Sequence, residues 1–385
     1  MSARVLALAC TLVLALASAT APSRPAQAQA FETPARAAIL IDLSSNQVLF
    51  AKNPDDRLPP ASMSKLMTAL MVFERLKQGS LSLDDTLPVS EKAWRMGGSK
   101  MFVEVGNRVR VEDLLRGIII QSGNDACIVV AEALGGSEAG FAEMMTAKGE
   151  AIGLTGSHFA NASGWPDPEH YMTPRDLATV AQTIIAEYGE YYHFYAETAF
   201  EWNGIRQPNR NPLLRAGIEG VDGLKTGHTE EAGYGLVASA QRGDRRLLMV
   251  LNGLSSERER ATEAERLIEY GFRMFDTYRL VEANTAIGEA PTWLAEAPAV
   301  PLVAQHDVVV SMPRAARPEL KVDAIYDSPV PAPVAAGTEL GHLSITAPGI
   351  EPIVVPLVAG ADVARAGPFG RAAAVLGHLV WGPAS

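Results

Sequence analysis

Ser62 and Lys65 stand three residues apart in the run Pro60-Ala61-Ser62-Met63-Ser64-Lys65. On a helix, positions i and i+3 share a face, so this amine can lie beside this hydroxyl. A serine hydroxyl is a poor nucleophile until a base takes its proton, and a partly buried lysine with a lowered pKa can do that. A helix N-terminus at the same place would add a positive field where an oxyanion forms. The chemistry implied is acyl transfer through a serine ester. Taken alone, a capping serine followed by a surface lysine explains the pair better.

Two further runs have the same character. Ser122-Gly123-Asn124 offers a hydroxyl and an amide at i and i+2, able to point from a loop into one cleft. Ser122 can relay a proton there and Asn124 can hold a substrate amide. Gly123 and its neighbours equally suit an ordinary helix-terminal turn. Lys225-Thr226-Gly227, continuing as His228-Thr229, places a cation and a hydroxyl beside a glycine on a predicted strand. Such a strand can bind a carboxylate while its backbone approaches an extended peptide. It can also be a plain sheet edge guarded by lysine.

Each run is weak, but their order is specific. SxxK, then SxN, then KTG is the signature of penicillin-binding proteins and serine β-lactamases. With the flanks Pro60 to Thr68, Ser122 to Cys127 and Asp222 to Thr229, the chain resembles the low-molecular-mass D-Ala-D-Ala carboxypeptidases. That resemblance implies that Ser62 attacks the carbonyl between the two D-alanines and that Lys65 is the general base. It implies that Ser122 and Asn124 position substrate and help protonate the leaving group. Lys225 and Thr226 would hold the terminal carboxylate. The backbone N–H groups of Ser62 and His228, next to Gly227, would form the oxyanion hole. Arg210, in Asn209-Arg210-Asn211, matches a family arginine near the KTG lysine. The partners implied are a peptidoglycan stem peptide ending in D-Ala-D-Ala and β-lactam antibiotics, with no cofactor and no metal. A β-lactamase or a D,D-endopeptidase would use the same catalytic parts. A non-catalytic wall-binding protein would have no need of intact Ser62, Lys65, Asn124 and Lys225.

The elements that must position these groups are legible in outline. Ala38–Leu43 and Gln47–Phe50 read as a hairpin around Ser44-Ser45-Asn46. Leu66, Leu70, Phe73 and Leu76 recur at helical spacing after Ser62. Val111–Ile120, Ala126–Leu134, Asp176–Ala186 and Glu257–Arg273 read as helices; Tyr234–Ala240 and Arg246–Leu251 read as strands. Strands at both ends with helices between predict an α+β domain whose sheet joins chain-distant segments; the resemblance implies that this is the antiparallel, transpeptidase-like domain of penicillin-binding proteins. Past Leu280, short β-rich runs punctuated by Pro and Gly predict a small all-β sandwich. The expected organisation is a signal peptide over 1–30, a catalytic domain over 31–280, a β domain over 281–362 and an amphipathic segment over 363–385.

Composition narrows the setting. The chain has 385 residues and a formal charge of −11, which gives no support to nucleic-acid binding. Arg4, the apolar run Val5–Ala19 and Ala28-Gln29-Ala30 have the form of a secretory leader. Cys10 would leave with it, so Cys127 would be the one remaining thiol; it sits in an apolar helical run and reads as core. Export without disulfides suits a periplasm. His158, His170 and His193 lack HExxH spacing, which argues against a zinc peptidase. In the tail, Phe369, Ala372, Ala373, Leu376 and Val380 share one helical face, far shorter than the ~20 residues that span a bilayer. It can lie in the interface of the periplasmic face of the inner membrane, or dock on the protein itself.

Overall fold

The computed structural model describes residues 31–381; the expected leader lies outside the described residues, as do residues 382–385 of the expected tail. The hairpin forms from β1 (Ala37–Asp42) and β2 (Gln47–Lys52), with Asn46 at φ 56° in its turn. A 3-10 turn, Ala61–Ser64, then leads into α1 (Lys65–Lys77). Ser62 therefore lies on the turn just ahead of the α-helix, and Lys65 opens the helix. A short ribbon of β3 (Thr86–Pro88) and β4 (Arg108–Arg110) brackets α2 (Glu91–Arg95).

Four longer helices follow: α3 (Val111–Ile119), α4 (Asn124–Gly135), α5 (Glu138–Ala151) and α6 (Pro174–Glu187). The start of α6 is set by the Thr173 side chain, which accepts from the Asp176 N–H, with Pro174 at the first helical position. α5 escaped the sequence reading because its buried side is sparse, carrying Phe141, Ala142, Met145 and Gly149. After α7 (His193–Ala196), the hairpin β5 (Ala199–Trp202) and β6 (Ile205–Pro208), and α8 (Pro212–Ala216), the chain returns to the sheet as β7 (Val221–Thr229), β8 (Gly233–Arg242) and β9 (Arg245–Leu254). α9 (Glu257–Met274) follows.

The main sheet has the order β2-β1-β9-β8-β7, all antiparallel, so β1 pairs with a strand some two hundred residues later. The middle stretches of its central strands are largely apolar on both faces because both faces are covered. In β1, Ile39 and Ile41 join the core beneath the helical layer, whereas Ala38 and Leu40 face α9. In β9 the alternation is Leu248 and Val250 against Leu247, Met249 and Leu251. Period-two side-chain direction thus feeds two cores from one strand. β7 is an edge strand, its outer side unpaired in the sheet.

β10 (Phe275–Val281) begins the β region, so the composition shift noted near Leu280 falls inside a strand that starts earlier. β11 (Ala286–Trp293), β12 (Ala299–Val303), β13 (Val308–Pro313), β14 (Lys321–Tyr326), β15 (Val330–Pro331), β16 (Glu339–Thr346) and β17 (Ile353–Ala359) complete it. A six-stranded sheet, β14-β16-β17-β12-β11-β15, and the pair β10-β13 close on one core holding Leu302, Val310, Met312, Leu343 and Leu357. The two regions meet at Asp42. This fully buried carboxylate accepts from Arg245 Nε (2.6 Å), Thr277 Oγ1 (2.8 Å), Ser311 Oγ (2.8 Å) and the Ser44 N–H (2.9 Å). α10 (Pro368–Trp381) ends the described chain with Phe369 and Leu376 exposed. No helix among the described residues is long and apolar enough to cross a membrane.

Candidate active site

Ser62 sits on a turn forced tight by its neighbours. Ala61 adopts φ 48°, and the Ser64 hydroxyl donates back to the Ala61 carbonyl at 3.2 Å. Gly164 packs so closely that a Cβ there would stand 1.9 Å from the Ala61 oxygen. From the opposite side, β7 presses in at Gly227, where a Cβ would lie 2.8 Å from the Pro60 oxygen and 3.2 Å from the Met63 nitrogen. The glycine of the KTG run is therefore there so that the strand carrying His228 can reach the turn carrying Ser62.

Lys65 is only 1% exposed, and its ammonium has three acceptors: Ser62 Oγ (2.7 Å), Asn124 Oδ1 (2.8 Å) and the Ser163 carbonyl (2.5 Å). Its pKa is lowered to about 8, by burial first and then by the Arg210 charge, with Asp125 opposing the fall. Cys127 contributes no charge at neutral pH, since burial raises its thiol to about 12. At pH 7 roughly a tenth of Lys65 is then neutral. A neutral Lys65 can still donate to Asn124 and Ser163, which aims its lone pair at the Ser62 hydroxyl proton. The loop 161–165 is built for that contact. Asn161 Oδ1 accepts from the Ser163, Gly164 and Trp165 N–H groups at 3.1, 2.8 and 3.0 Å. A backbone carbonyl as partner carries no sequence signature, so this loop reads as merely ordered until it is folded.

The SxN run bridges α3 and α4. Ser122 adopts φ 61°, and Asn124 opens α4 with its N–H on the Ser99 carbonyl (2.7 Å) and its Nδ2 on the Gly97 carbonyl (2.9 Å). Asp125 holds the facing loop by accepting from the N–H groups of Met101, Phe102 and Val103 at 2.9, 2.8 and 3.1 Å. Lys225 Nζ donates to Ser122 Oγ at 2.9 Å and to the Thr226 carbonyl at 3.1 Å. Its pKa lies well below the usual lysine value, first from burial and then from the Lys65 and Arg210 charges. Lys225 is 2% exposed, and its ammonium supports Ser122 from behind rather than lining the opening.

The opening is a cleft of about 200 Å³ lined by Ser62, Ser99, Ser122, Arg210, Thr226, Gly227, His228, Tyr234, Glu257 and Arg260. Arg210 Nη1 donates to Ser99 Oγ at 2.5 Å, between two buried asparagines, Asn209 and Asn211. Arg260, on the first turns of α9, is 3% exposed; its guanidinium lies 5.5 Å over the Tyr234 ring, and Tyr234 stacks on His228 at 3.9 Å. Arg260 Nε has no protein partner. Sequence reasoning missed Ser99, Tyr234, Glu257 and Arg260. A charged amphipathic helix reads as solvated, and only the packing of α9 beside β8 turns Arg260 inward.

Other candidates take ordinary places. Cys127 is buried in α4. His170 is a buried ring against Phe159, with burial lowering its pKa to about 4, while His158 and His193 each face a backbone carbonyl. A larger groove of about 710 Å³ runs between the sheet and the β region. Its arginines Arg242, Arg245, Arg246 and Arg279 already face carboxylates, and no activated nucleophile lines it.

This arrangement matches known proteins across its length. Residues 21–255 fit the family model described as D-alanyl-D-alanine carboxypeptidase, and residues 275–365 fit that of the penicillin-binding protein 5 C-terminal domain. The D-alanyl-D-alanine carboxypeptidase DacC of Escherichia coli is 37% identical over 91% of this chain and 90% of its own. The crystal structure of penicillin binding protein 5 from Haemophilus influenzae superposes with a TM-score of 0.80 at 36% identity, over 87% of this chain and 99% of its own. Penicillin-binding protein D2 from Listeria monocytogenes, in an ampicillin-bound form, is similar over 63% of this chain and 99% of its own, with a TM-score of 0.58 and 28% identity.

Proposed function

This chain belongs to the D-alanyl-D-alanine carboxypeptidase family, and from that premise we propose how its cleft performs the reaction. The enzyme is a serine D-Ala-D-Ala carboxypeptidase of the penicillin-binding class. Its substrate is a peptidoglycan stem peptide ending in D-Ala-D-Ala, lying extended along the open edge of β7. The terminal carboxylate meets Thr226, Arg210 and Arg260 at the cationic end of the cleft.

Neutral Lys65 takes the Ser62 Oγ proton as Oγ bonds to the carbonyl carbon between the two D-alanines. The oxyanion forms against the backbone N–H groups of Ser62 and His228. Ser122 passes its proton to the leaving nitrogen and is resupplied by the Lys225 ammonium 2.9 Å away. The C–N bond breaks and free D-alanine leaves, with the shortened peptide held as an ester on Ser62. The proton Lys65 took passes through Ser122 to Lys225, which leaves Lys65 neutral again; water then attacks the ester, Lys65 taking its proton and handing it to Ser62 Oγ as the C–O bond breaks. Penicillin enters by the same first step, its amide carbonyl replacing the peptide's.

The observation carrying this reading is the three-acceptor cage on Lys65, which leaves one direction for its lone pair and points it at Ser62. Purified protein should release D-alanine from a peptide ending in D-Ala-D-Ala, and penicillin should add its mass at Ser62 on peptide mapping. An adduct at another residue, or an active Ser62→Ala variant, would overturn it.

We also propose that the leader sends the enzyme to the periplasm and that α10 lies in the membrane interface. Phe369 (91% exposed) and Leu376 (62%) are apolar side chains without cover, as an interfacial helix requires. Deleting the residues after Val363 should move the protein from the membrane to the soluble fraction; identical fractionation of the two forms would end the idea.

A further inference from the structure

The cleft gathers more positive charge than its walls neutralise. Arg210 and Arg260 line it, and Lys65 and Lys225 stand directly behind. Among the described residues, Glu257 is the only acidic side chain lining it. Glu257 Oε1 lies 3.5 Å from Arg260 Nη2, too long for the tight paired geometry arginine forms with a committed carboxylate. At Asp42 and Asp222, by contrast, the arginine–carboxylate contacts close to 2.6 and 2.7 Å. Glu257 is also 70% exposed on its side chain, free to swing outward.

Its position in α9 is not a structural necessity. The helix is capped by Ser256, whose side chain accepts from the Glu259 N–H at 3.1 Å, while the Glu259 carboxylate accepts from the Ser255 N–H at 2.7 Å. Glu257 takes no part in that cap. Its negative charge instead opposes the loss of basicity that burial imposes on both Arg210 and Arg260.

We infer that Glu257 is a resident counter-ion for the arginine pair, which the substrate's C-terminal carboxylate must displace and which helps expel D-alanine after cleavage. This rests on the carboxypeptidase reading of the cleft. When the peptide binds, its carboxylate faces Arg210 and Arg260, and Glu257 loses its weak contact. After the C–N bond breaks, the D-alanine carboxylate is held by the arginines alone, and the returning Glu257 competes for them. Glu257 thereby loosens the hold on any carboxylate-ended ligand and keeps the released product from blocking the site.

The test uses the full chain, with diacetyl-L-lysyl-D-alanyl-D-alanine and its C-terminal amide as probes. In Glu257→Gln, KM for the acid should fall about three- to tenfold, the effect of one screened unit charge several ångströms away. Inhibition by free D-alanine should strengthen by a similar factor, and both effects should shrink with added salt. KM for the amide should not follow. Glu257→Asp, charged but retracted, should fall between. An unchanged or raised KM for the acid in Glu257→Gln, with a melting temperature equal to wild type, overturns the inference. A wild-type enzyme that, while folded, releases neither D-alanine from the acid nor D-alaninamide from the amide overturns the underlying carboxypeptidase reading instead.

Discussion

Two of the places where this molecule buries charge treat it in opposite ways. At the junction of the two regions, Asp42 is fully buried and meets Arg245, two hydroxyls and a backbone N–H, all within 2.9 Å. In the cleft, Lys65, Lys225 and Arg260 are each at most 3% exposed, and Glu257 is the only acid lining it among the described residues. The junction is a finished network, and a finished network holds parts in one geometry. The cleft is left unfinished, with lysines pushed toward neutrality and arginines awaiting an anion. A buried charge without its partner costs stability, and at this site that shortfall is what activates a base and recruits a carboxylate.

Breaking the cleft should have the largest effect. Arginine cannot deprotonate, so Lys65→Arg should slow penicillin acylation by about 10³-fold, measured by stopped-flow or time-resolved mass spectrometry. In the wild type, acylation needs neutral Lys65. Its rate should rise about tenfold per pH unit toward the pKa near 8 and level off above it. A flat profile between pH 6 and 8 would remove Lys65 from the base role.

Breaking the junction comes next. Asp42→Ala should cost about 3 kcal/mol in urea unfolding, because the half-buried Arg245 and two hydroxyls lose their carboxylate. Burial alone would raise the Asp42 pKa, but bonds from Arg245, Thr277 and Ser311 and the Arg245 charge hold it below the usual 3.8. Its stabilisation is therefore fully present above the unfolded value, near pH 4, and is lost as pH falls through the lower folded value. The acid limb should be shallower in Asp42→Ala; equal limbs would mean that other carboxylates set it.

Two smaller changes sharpen the contrast. Arg260→Ala should lower kcat/KM for a carboxylate-ended peptide by about 10- to 100-fold, as loss of a charged hydrogen bond does, and affect the amide much less. Ser311→Ala removes one of several donors to Asp42 and should cost about 1 kcal/mol, with catalysis unchanged. If Ser311→Ala altered KM, the junction and the cleft would be coupled, and the two-region contrast would fail.

Much of the molecule is legible in the chain. Ser62 and Lys65 meet because three residues make most of a helical turn, a purely local fact. The β1–β2 hairpin, the helices α1, α3, α4, α6 and α9 and the pair β8–β9 follow from periodicity and turn chemistry. The short β5–β6 hairpin and α5 lack a strong period and did not show. The order SxxK, SxN, KTG pointed to one reaction, and the match to the carboxypeptidase family model bears out that recognition.

Tertiary structure alone decided what those residues face. The Ser163 carbonyl that completes the Lys65 cage lies 98 residues away in sequence, and it is a backbone atom any residue could supply. Lys225 reaches Ser122 across 103 residues, a pairing that the sequence reading did not record. Arg260 and Glu257 enter the cleft because α9 packs against β8 and β9, which no local pattern records. The sequence by itself determines which groups share a turn of helix and which strand face is apolar, since these depend on fixed local periods. Which groups share a cleft depends on how distant elements pack, and here that packing set the pKa of the base and the charge awaiting the substrate.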